Sequence, residues 1–283
     1  MATSFGGIIR VTRRYQPVQG RSRLVWAFLD AMVLARRSLL QTVRVPQLIV
    51  FVAIQPVMFV LLFRYVFGGA IQVPGGQYVN YLMPGIFVQT VAFGGVTTGI
   101  GLAEDMQKGL IDRFRSLPMS SSAVLTGRTV ADLGRNLFTV LIMLVVGFLV
   151  GFRPHGTAAE FLLAMVVVIG FSFAFSWISA LIGISVRSVE AAQSGGFIWM
   201  FPLTFASSAF VPVASMPGWL QRFAEHNPVS VVANSLRGLF HVDPSLTTAD
   251  TRLALIQSAA WIVGILVVVV PLAVARYRRT SRG

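Results

Sequence analysis

The chain has no cysteine and a single lysine, Lys108, among its 283 residues. The missing cysteine excludes disulfides, thiolate metal sites and cysteine nucleophiles. Lys108 is followed by Gly109 and Leu110, so no G-x-x-x-x-G-K-[ST] phosphate loop can be built. Neither H-E-x-x-H nor G-x-S-x-G occurs. The three histidines, His155, His226 and His241, lie far apart and make no local metal cluster. Charge is scarce as well: 12% of residues carry it, roughly half the share of a soluble domain.

Apolar surface is abundant instead. Hydrophobic residues make up 55% of the chain, more than a soluble globule of this length can hide, so the excess faces lipid. The net charge of +13 comes from 22 arginines and Lys108 set against 10 acidic residues. In a soluble protein that excess suggests nucleic acid. Here it is first read against membrane topology, because basic residues collect on the cytoplasmic side. No cleavable signal peptide is expected. The first 46 residues are Arg-rich, and no short apolar core with a small-residue cleavage site follows Met1.

A bilayer core needs about 20 apolar residues per helix. Six segments qualify, near 47–67, 81–103, 136–152, 161–186, 195–213 and 253–275. The third and fifth are short, and the fourth and sixth are the clearest. The expected fold is an all-α integral membrane domain over 47–275, between a cytoplasmic N-terminal segment 1–22 and a basic tail 276–283. With six spans, 18 of the 23 basic residues fall on the side of the termini and four (Arg153, Arg222, Arg237, Arg252) on the other. That bias places both ends in the cytoplasm. Arg64 sits in the first span near its outer end and is expected to snorkel to the headgroups. Substrate contact is the sharper alternative.

Small residues recur at spacing four: Gly95 and Gly99, Gly147 and Gly151, then Ser172, Ser176 and Ala180. In lipid they allow close helix approach. Pro56, Pro84, Pro202 and Pro271 are expected to kink or start helices. Gln55, Gln89, Thr97, Thr98 and Thr204 are scattered polar points, with helix–helix hydrogen bonds as their expected role. Acidic residues are absent from the span centres, with Glu104 and Asp105 at an inner mouth and Glu160 at an outer one. A proton-driven pump is therefore poorly equipped, and energy for active transport has to come from another chain.

Three segments outside the spans carry pattern. Over 23–45, Leu24, Phe28, Met32, Ala35 and Leu39 fall within one arc of roughly 80°, while Arg23, Asp30, Arg37 and Arg44 recur on another face. The segment reads as an amphipathic helix lying at the cytoplasmic interface. The loop 104–135 mixes both charge signs. A short helix over 104–117 is expected to end before Pro118, and a second to start near Ser121 or Ser122 as N-cap. Docking to a soluble partner and a plain solvated turn both remain open for it. The outer stretch 214–251 has two helix starts, one at Pro217 and one at Asn227-Pro228. Trp219 and Phe223 suit the headgroup level. The stretch reads as half-helices dipping into the outer leaflet.

The motif Tyr81-Leu82-Met83-Pro84-Gly85, then Asp105, Gly109, Asp112-Arg113, Arg115-Ser116-Leu117-Pro118-Met119-Ser120, Gly127-Arg128 and Asp132 resembles the type-2 permease family of ATP-binding-cassette exporters. Phe210-Val211-Pro212, Met216-Pro217-Gly218-Trp219-Leu220, Asn227-Pro228 and Arg237 fit the same family. Within it the likeness is greatest to the daunorubicin-resistance permease subfamily of actinobacteria, from about residue 24 onward.

The resemblance implies six spans, an interfacial helix before the first and re-entrant outer helices (Pro217, Trp219, Asn227, Pro228, Arg237) before the last. It implies that Asp105, Gly109, Asp112, Arg113, Arg115 and Pro118 lie at the contact with an ATPase subunit, with Arg187 in a smaller contact over 187–194. It implies two permease copies with two separate ATPases, which bind the ATP and magnesium. This chain then binds no cofactor and no nucleic acid, hydrolyses nothing and sits in the plasma membrane. The substrate class it implies is a lipophilic drug, lipid, glycolipid or polysaccharide moved outward. Two rivals remain. A stand-alone secondary transporter or channel needs midplane charge. A membrane-embedded lipid enzyme needs a constellation for which only Glu225 and His226 offer themselves.

Overall fold

A computed structural model describes residues 46–71, 73, 77–108 and 121–280. The interfacial helix expected over 23–45, with Leu24, Phe28, Met32, Arg37, Leu39 and Arg44, lies outside the described residues. So do Gly109, Asp112, Arg113, Arg115 and Pro118.

The described residues are all-helical. Helix α1 (Pro46–Leu61) runs into a π-helical segment, Leu62–Phe67. Then come α2 (Tyr78–Gln107), α3 (Ser121–Leu149), α4 (Ala158–Ser185) and α5 (Val189–Phe205). A 3₁₀ turn (Val213–Ser215) precedes α6 (Gly218–His226), α7 (Pro228–Leu239) and the long α8 (Thr248–Thr280). Among the described residues, four helices are long and apolar enough to cross a membrane: 78–107, 132–149, 158–185 and 248–277. The apolar parts of α1 and α5 are shorter.

Helix α2 is the axis. It packs against α1, α3, α4, α5 and α7. In its apolar window 72% of residues are buried, against 11% for α8, which therefore lies at the periphery. The α2–α4 contact is the most intimate, and glycine makes it so. A Cβ at Gly99 would fall on the Ser179 carbonyl oxygen, and one at Gly183 on the Gly99 carbonyl oxygen. A Cβ at Gly95 would meet the Phe175 carbonyl carbon at 3.1 Å. Small residues at spacing four thus let two backbones touch. Gly151 has a different role. Its φ of +100° and the bonds from Phe152 N to Gly147 O (2.8 Å) and from Gly151 N to Phe148 O (3.4 Å) make a Schellman end for α3.

The helices differ from the expected spans in instructive places. The third segment, expected over 136–152, belongs to a helix that starts at Ser121 and stops at Leu149. Asp132 and Arg135 continue the helix because they pair with each other and with α2, as described below. The fifth, expected over 195–213, is helical only to Phe205. The 187–194 loop is largely absent: α5 starts at Val189, capped by the Ser188 hydroxyl. Residues 104–107 are the last turn of α2 rather than the start of a separate helix. The four prolines lie inside helices, and none starts one.

Candidate functional site

At the Gln107 end of the bundle, α2 meets the α4–α5 turn. Gln107 Nε2 donates to the Arg187 carbonyl at 3.5 Å. Asp105 is half-buried on the same turn of α2, and Arg187 is exposed. Lys108 Nζ donates to Glu104 Oε1 at 2.6 Å, and that carboxylate holds the ammonium above the ordinary lysine range. Leu102, Trp177, Ile184 and Tyr277 pack together here and tie α8 to α2 and α4. Of the residues expected at an ATPase contact, the structure therefore describes Asp105 and Arg187 and brings both to one end.

The Tyr78 end is built around a break in α5. The helix stops at Phe205, and the following non-helical backbone turns back against α2 and α7. Free carbonyls in an apolar setting are costly, and here side chains satisfy them. Asn227 Nδ2 donates to Leu203 O at 2.7 Å and to Ala206 O at 3.0 Å. Tyr81 Oη donates to Ser208 O at 3.0 Å, and Tyr78 Oη to Phe210 O at 2.8 Å. The Ser230 hydroxyl accepts from Ser208 N at 2.8 Å.

Arg237 completes the set. It is fully buried, and its guanidinium lies 3.6 Å above the Tyr81 ring. Nε donates to Tyr81 O at 3.0 Å. Nη1 donates to Ser208 Oγ at 3.1 Å and Asn234 Oδ1 at 2.6 Å. Nη2 donates to Ser208 O at 2.6 Å and Ala209 O at 3.4 Å. Every N–H of the planar fork is used, and among the described residues no carboxylate hydrogen-bonds it. Arg237 holds α7, α2 and the broken end of α5 together.

Asn227 also caps α7, its Oδ1 accepting from Val229 N at 2.9 Å ahead of Pro228 at N1. Pro217 takes the N-cap position of α6. Asn227, Pro228 and Arg237 are buried, whereas Pro217 and Trp219 are exposed. The structure thus splits the five outer residues into an anchored group and an open one. His226 Nδ1 lies 3.0 Å from the Arg222 carbonyl, so the lipid-enzyme reading gains no catalytic contact there.

Between these ends, α1, α2, α3 and α5 enclose a half-open cleft of about 140 Å³. Gln55, Gln89, Thr90, Thr97, Asn136 and Thr139 line it together with Phe59, Phe93 and Phe197. Below it sits a polar network. Thr98 Oγ1 donates to Asp132 Oδ2 at 2.5 Å. Arg135 pairs with the other Asp132 oxygen and donates to Thr97 Oγ1 at 2.6 Å. Asn136 Nδ2 donates to Ser172 Oγ at 2.8 Å. A buried acidic group thus lies at the start of the apolar stretch of α3, outside the span centres, with both oxygens occupied. Thr98 and Thr97 make the expected helix–helix bonds, while the buried Thr204 hydroxyl has no partner. The helix expected to start near Ser121 or Ser122 is α3, which carries Asp132, whereas sequence reasoning missed Tyr78, Ser208 and Asn234. The tyrosines three residues apart at the head of α2 were the available signal.

The profile of the ABC-2 type transporter family matches residues 30–241. The chain is 34% identical over 245 residues to the daunorubicin resistance ABC transporter permease protein DrrB1 of Streptomyces coeruleorubidus, covering 87% of this chain and 84% of that one. It is 28% identical over 228 residues to the probable doxorubicin resistance ABC transporter permease protein DrrC of Mycobacterium tuberculosis, covering 80% of each. A weaker likeness, 24% over 175 residues, links it to the probable multidrug ABC transporter permease YbhR of Escherichia coli, covering 61% of this chain and 47% of that one. The chain therefore belongs to the ABC-2 type transporter family, as a multi-pass membrane permease subunit of an ATP-binding-cassette exporter whose ATPase is a separate chain.

Proposed function

We propose that two copies of this chain, joined to two ATPase subunits, export a lipophilic drug, lipid or glycolipid across the plasma membrane. The Gln107 end faces the cytoplasm, with both termini, and receives the ATPase stroke through residues 104–118 and Arg187. The partner chains bind ATP and magnesium. Six crossings follow if α1 and α5 both span. Helix α5 is about 25 Å long at 1.5 Å per residue, short of a core of about 30 Å. The satisfied backbone after Phe205 makes up the difference, because non-helical backbone is tolerated where protein covers it. Helices α6 and α7 then re-enter the outer leaflet. The copies meet along α1, its π-helical extension and α5, whose outward faces carry exposed Ile54, Met58, Tyr65, Ile198 and Phe201, and the substrate moves along that seam.

The observation that carries the reading is the Gln107–Arg187 contact. It unites the two segments expected to meet an ATPase, at the end opposite the capped α6–α7 pair. A stand-alone transporter or channel calls for charge at the midplane, and the buried Asp132 lies instead at the start of the apolar stretch of α3, paired with Arg135.

The test is to co-purify the full chain with the ATPase encoded beside it and to measure ATP turnover in lipid. Asp112→Ala and Arg113→Ala are expected to cut turnover of the complex several-fold. A chain that neither binds the ATPase nor alters its turnover contradicts the reading.

A further inference from the structure

A groove of about 620 Å³ opens between α8 and the turn that joins α6 to α7. Helix α7 runs antiparallel to α8. The Ser235 and Ser258 hydroxyls lie 3.2 Å apart, and a Cβ at Gly238 would meet the Thr251 side chain. Helix α7 has 12 residues, so it is about 18 Å long at 1.5 Å per residue. The α6–α7 turn is thereby carried down along the apolar stretch of α8. Glu225 and His226, the last two residues of α6, line the groove there with Trp261 and Gly264. Helix α8 packs chiefly on α4 and α7, so the groove is separate from the α1–α5 seam.

The polar side chains of this groove are acceptors that lack donors. Glu225 has no hydrogen bond or ion pair among the described residues, in a chain of net charge +13. Gln257 is likewise unpaired among them. The Arg222 carbonyl can only accept, so His226 Nδ1, 3.0 Å away, carries the hydrogen, and Nε2 of the neutral ring is left as an acceptor. No arginine or lysine lines the groove. Trp261 does, and indole is the ring that best attracts a cation. Two carboxylate oxygens, an imidazole nitrogen and an amide oxygen suit the three N–H donors of a primary ammonium. With α6 and α7 re-entering the outer leaflet, these groups lie at a depth where an ionisable side chain is costly and marks a site with a partner. The rest of the lining is apolar, and from Gln257 to Val269 the groove runs about 18 Å along α8. One leaflet of a core about 30 Å thick has that scale.

We infer that this groove holds a phospholipid with a primary ammonium headgroup, of the phosphatidylethanolamine type. The inference rests on the re-entrant reading of α6 and α7, and it assigns a resident lipid rather than cargo. The ammonium sits among the Glu225 carboxylate, His226 Nε2 and the Gln257 amide oxygen. One acyl chain follows α8 past Gly264, where a Cβ would meet nothing within 4 Å. The bound lipid neutralises Glu225 and fills the space between α8 and the α6–α7 turn, bracing the two against each other. The headgroup of phosphatidylcholine has no N–H to donate, and that of phosphatidylglycerol brings no cation. Neither answers the acceptor set.

The experiment titrates the full chain in detergent micelles at pH 8 with phosphatidylethanolamine, phosphatidylcholine and phosphatidylglycerol of the same acyl chains. Native mass spectrometry counts the retained lipid, and thermal melting reads the stabilisation that binding brings. Phosphatidylethanolamine is expected to bind about tenfold or more tighter than the other two, the scale of a hydrogen bond to a charged group. Glu225→Gln keeps the shape and loses the charge. It is expected to erase that preference and to leave the melting of the lipid-free chain unchanged. Gly264→Leu fills the groove without a backbone clash and is expected to abolish lipid retention in a folded chain. Equal retention of the three lipids, preference for phosphatidylglycerol, or undiminished phosphatidylethanolamine binding in either folded variant overturns the site. The re-entrant reading is checked separately in intact cells. Because the chain has no cysteine, Glu225→Cys supplies a single thiol, which is expected to resist a charged maleimide. Ready labelling sinks the re-entrant reading, and the micelle titration still decides the lipid site. A protected thiol in a chain that shows no lipid preference sinks the site alone.

Discussion

The broken end of α5 and the face that α5 shares with α1 are neighbours in the fold and opposites in chemistry. At the break, the freed carbonyls of Leu203, Ala206, Ser208, Ala209 and Phe210 find donors from α2 and α7. On the shared face, Phe201 and Phe205 stand half-exposed, while the Thr90 hydroxyl of α2 and the Thr204 hydroxyl on the buried side of α5 have no partners. A satisfied network in a dry setting is stiff and costly to disturb. A face with unmet groups has something left to bind. The first region fixes the outer helices to the bundle axis. The second is free to meet a guest or another copy.

The sharpest way to break this contrast is Arg237→Leu. It takes a donor from Tyr81 O, Ala209 O and Asn234 Oδ1 and leaves Ser208 O with the Tyr81 hydroxyl alone. Each buried acceptor left without a donor costs about 1–3 kcal/mol. The expected outcome is loss of most folded protein, read as the yield of monodisperse chain after detergent extraction.

Asn227→Ala should come next. It removes the α7 cap, worth about 1 kcal/mol, and strands the Leu203 and Ala206 carbonyls at about 1 kcal/mol or more each. A fall of several degrees in the thermal midpoint is expected. The smallest effect belongs to a buried group outside the donor network. Thr204→Val removes a buried hydroxyl that has no partner, so the midpoint should hold or rise by the equivalent of about 1 kcal/mol or less. A large loss at Thr204 would erase the distinction between the two regions.

Much of this was legible in the sequence where the signal is local. The apolar runs gave an all-helical membrane protein, Asn227-Pro228 marked a capped helix start, and Gly95 and Gly99 marked close packing. The misreadings fall where distant partners decide. Asp132 and Arg135 fall in the helix expected from Ser121, but their pairing partners, Thr97 and Thr98 of α2, are remote in the sequence. The apolar run through Phe210 looks like a continuing helix, but Pro202 in the last turn of α5 and donors over a hundred residues away in the sequence, at Tyr78 and Tyr81, favour the break. Gly151 shared a spacing with Gly147 but served a helix end. Periodicity records which face is apolar, not which carbonyl a remote hydroxyl will claim.

The central claim is that an ATPase acts on one end of this chain. Because the chain has no cysteine, a single one can be introduced at Asp112 or, as a control on the opposite end, at Trp219, and cross-linked in membranes holding the partner ATPase. The account expects an adduct from Asp112→Cys whose yield changes when ATP is added, and none from Trp219→Cys. No adduct at Asp112→Cys, or equal adducts at both positions, would contradict it.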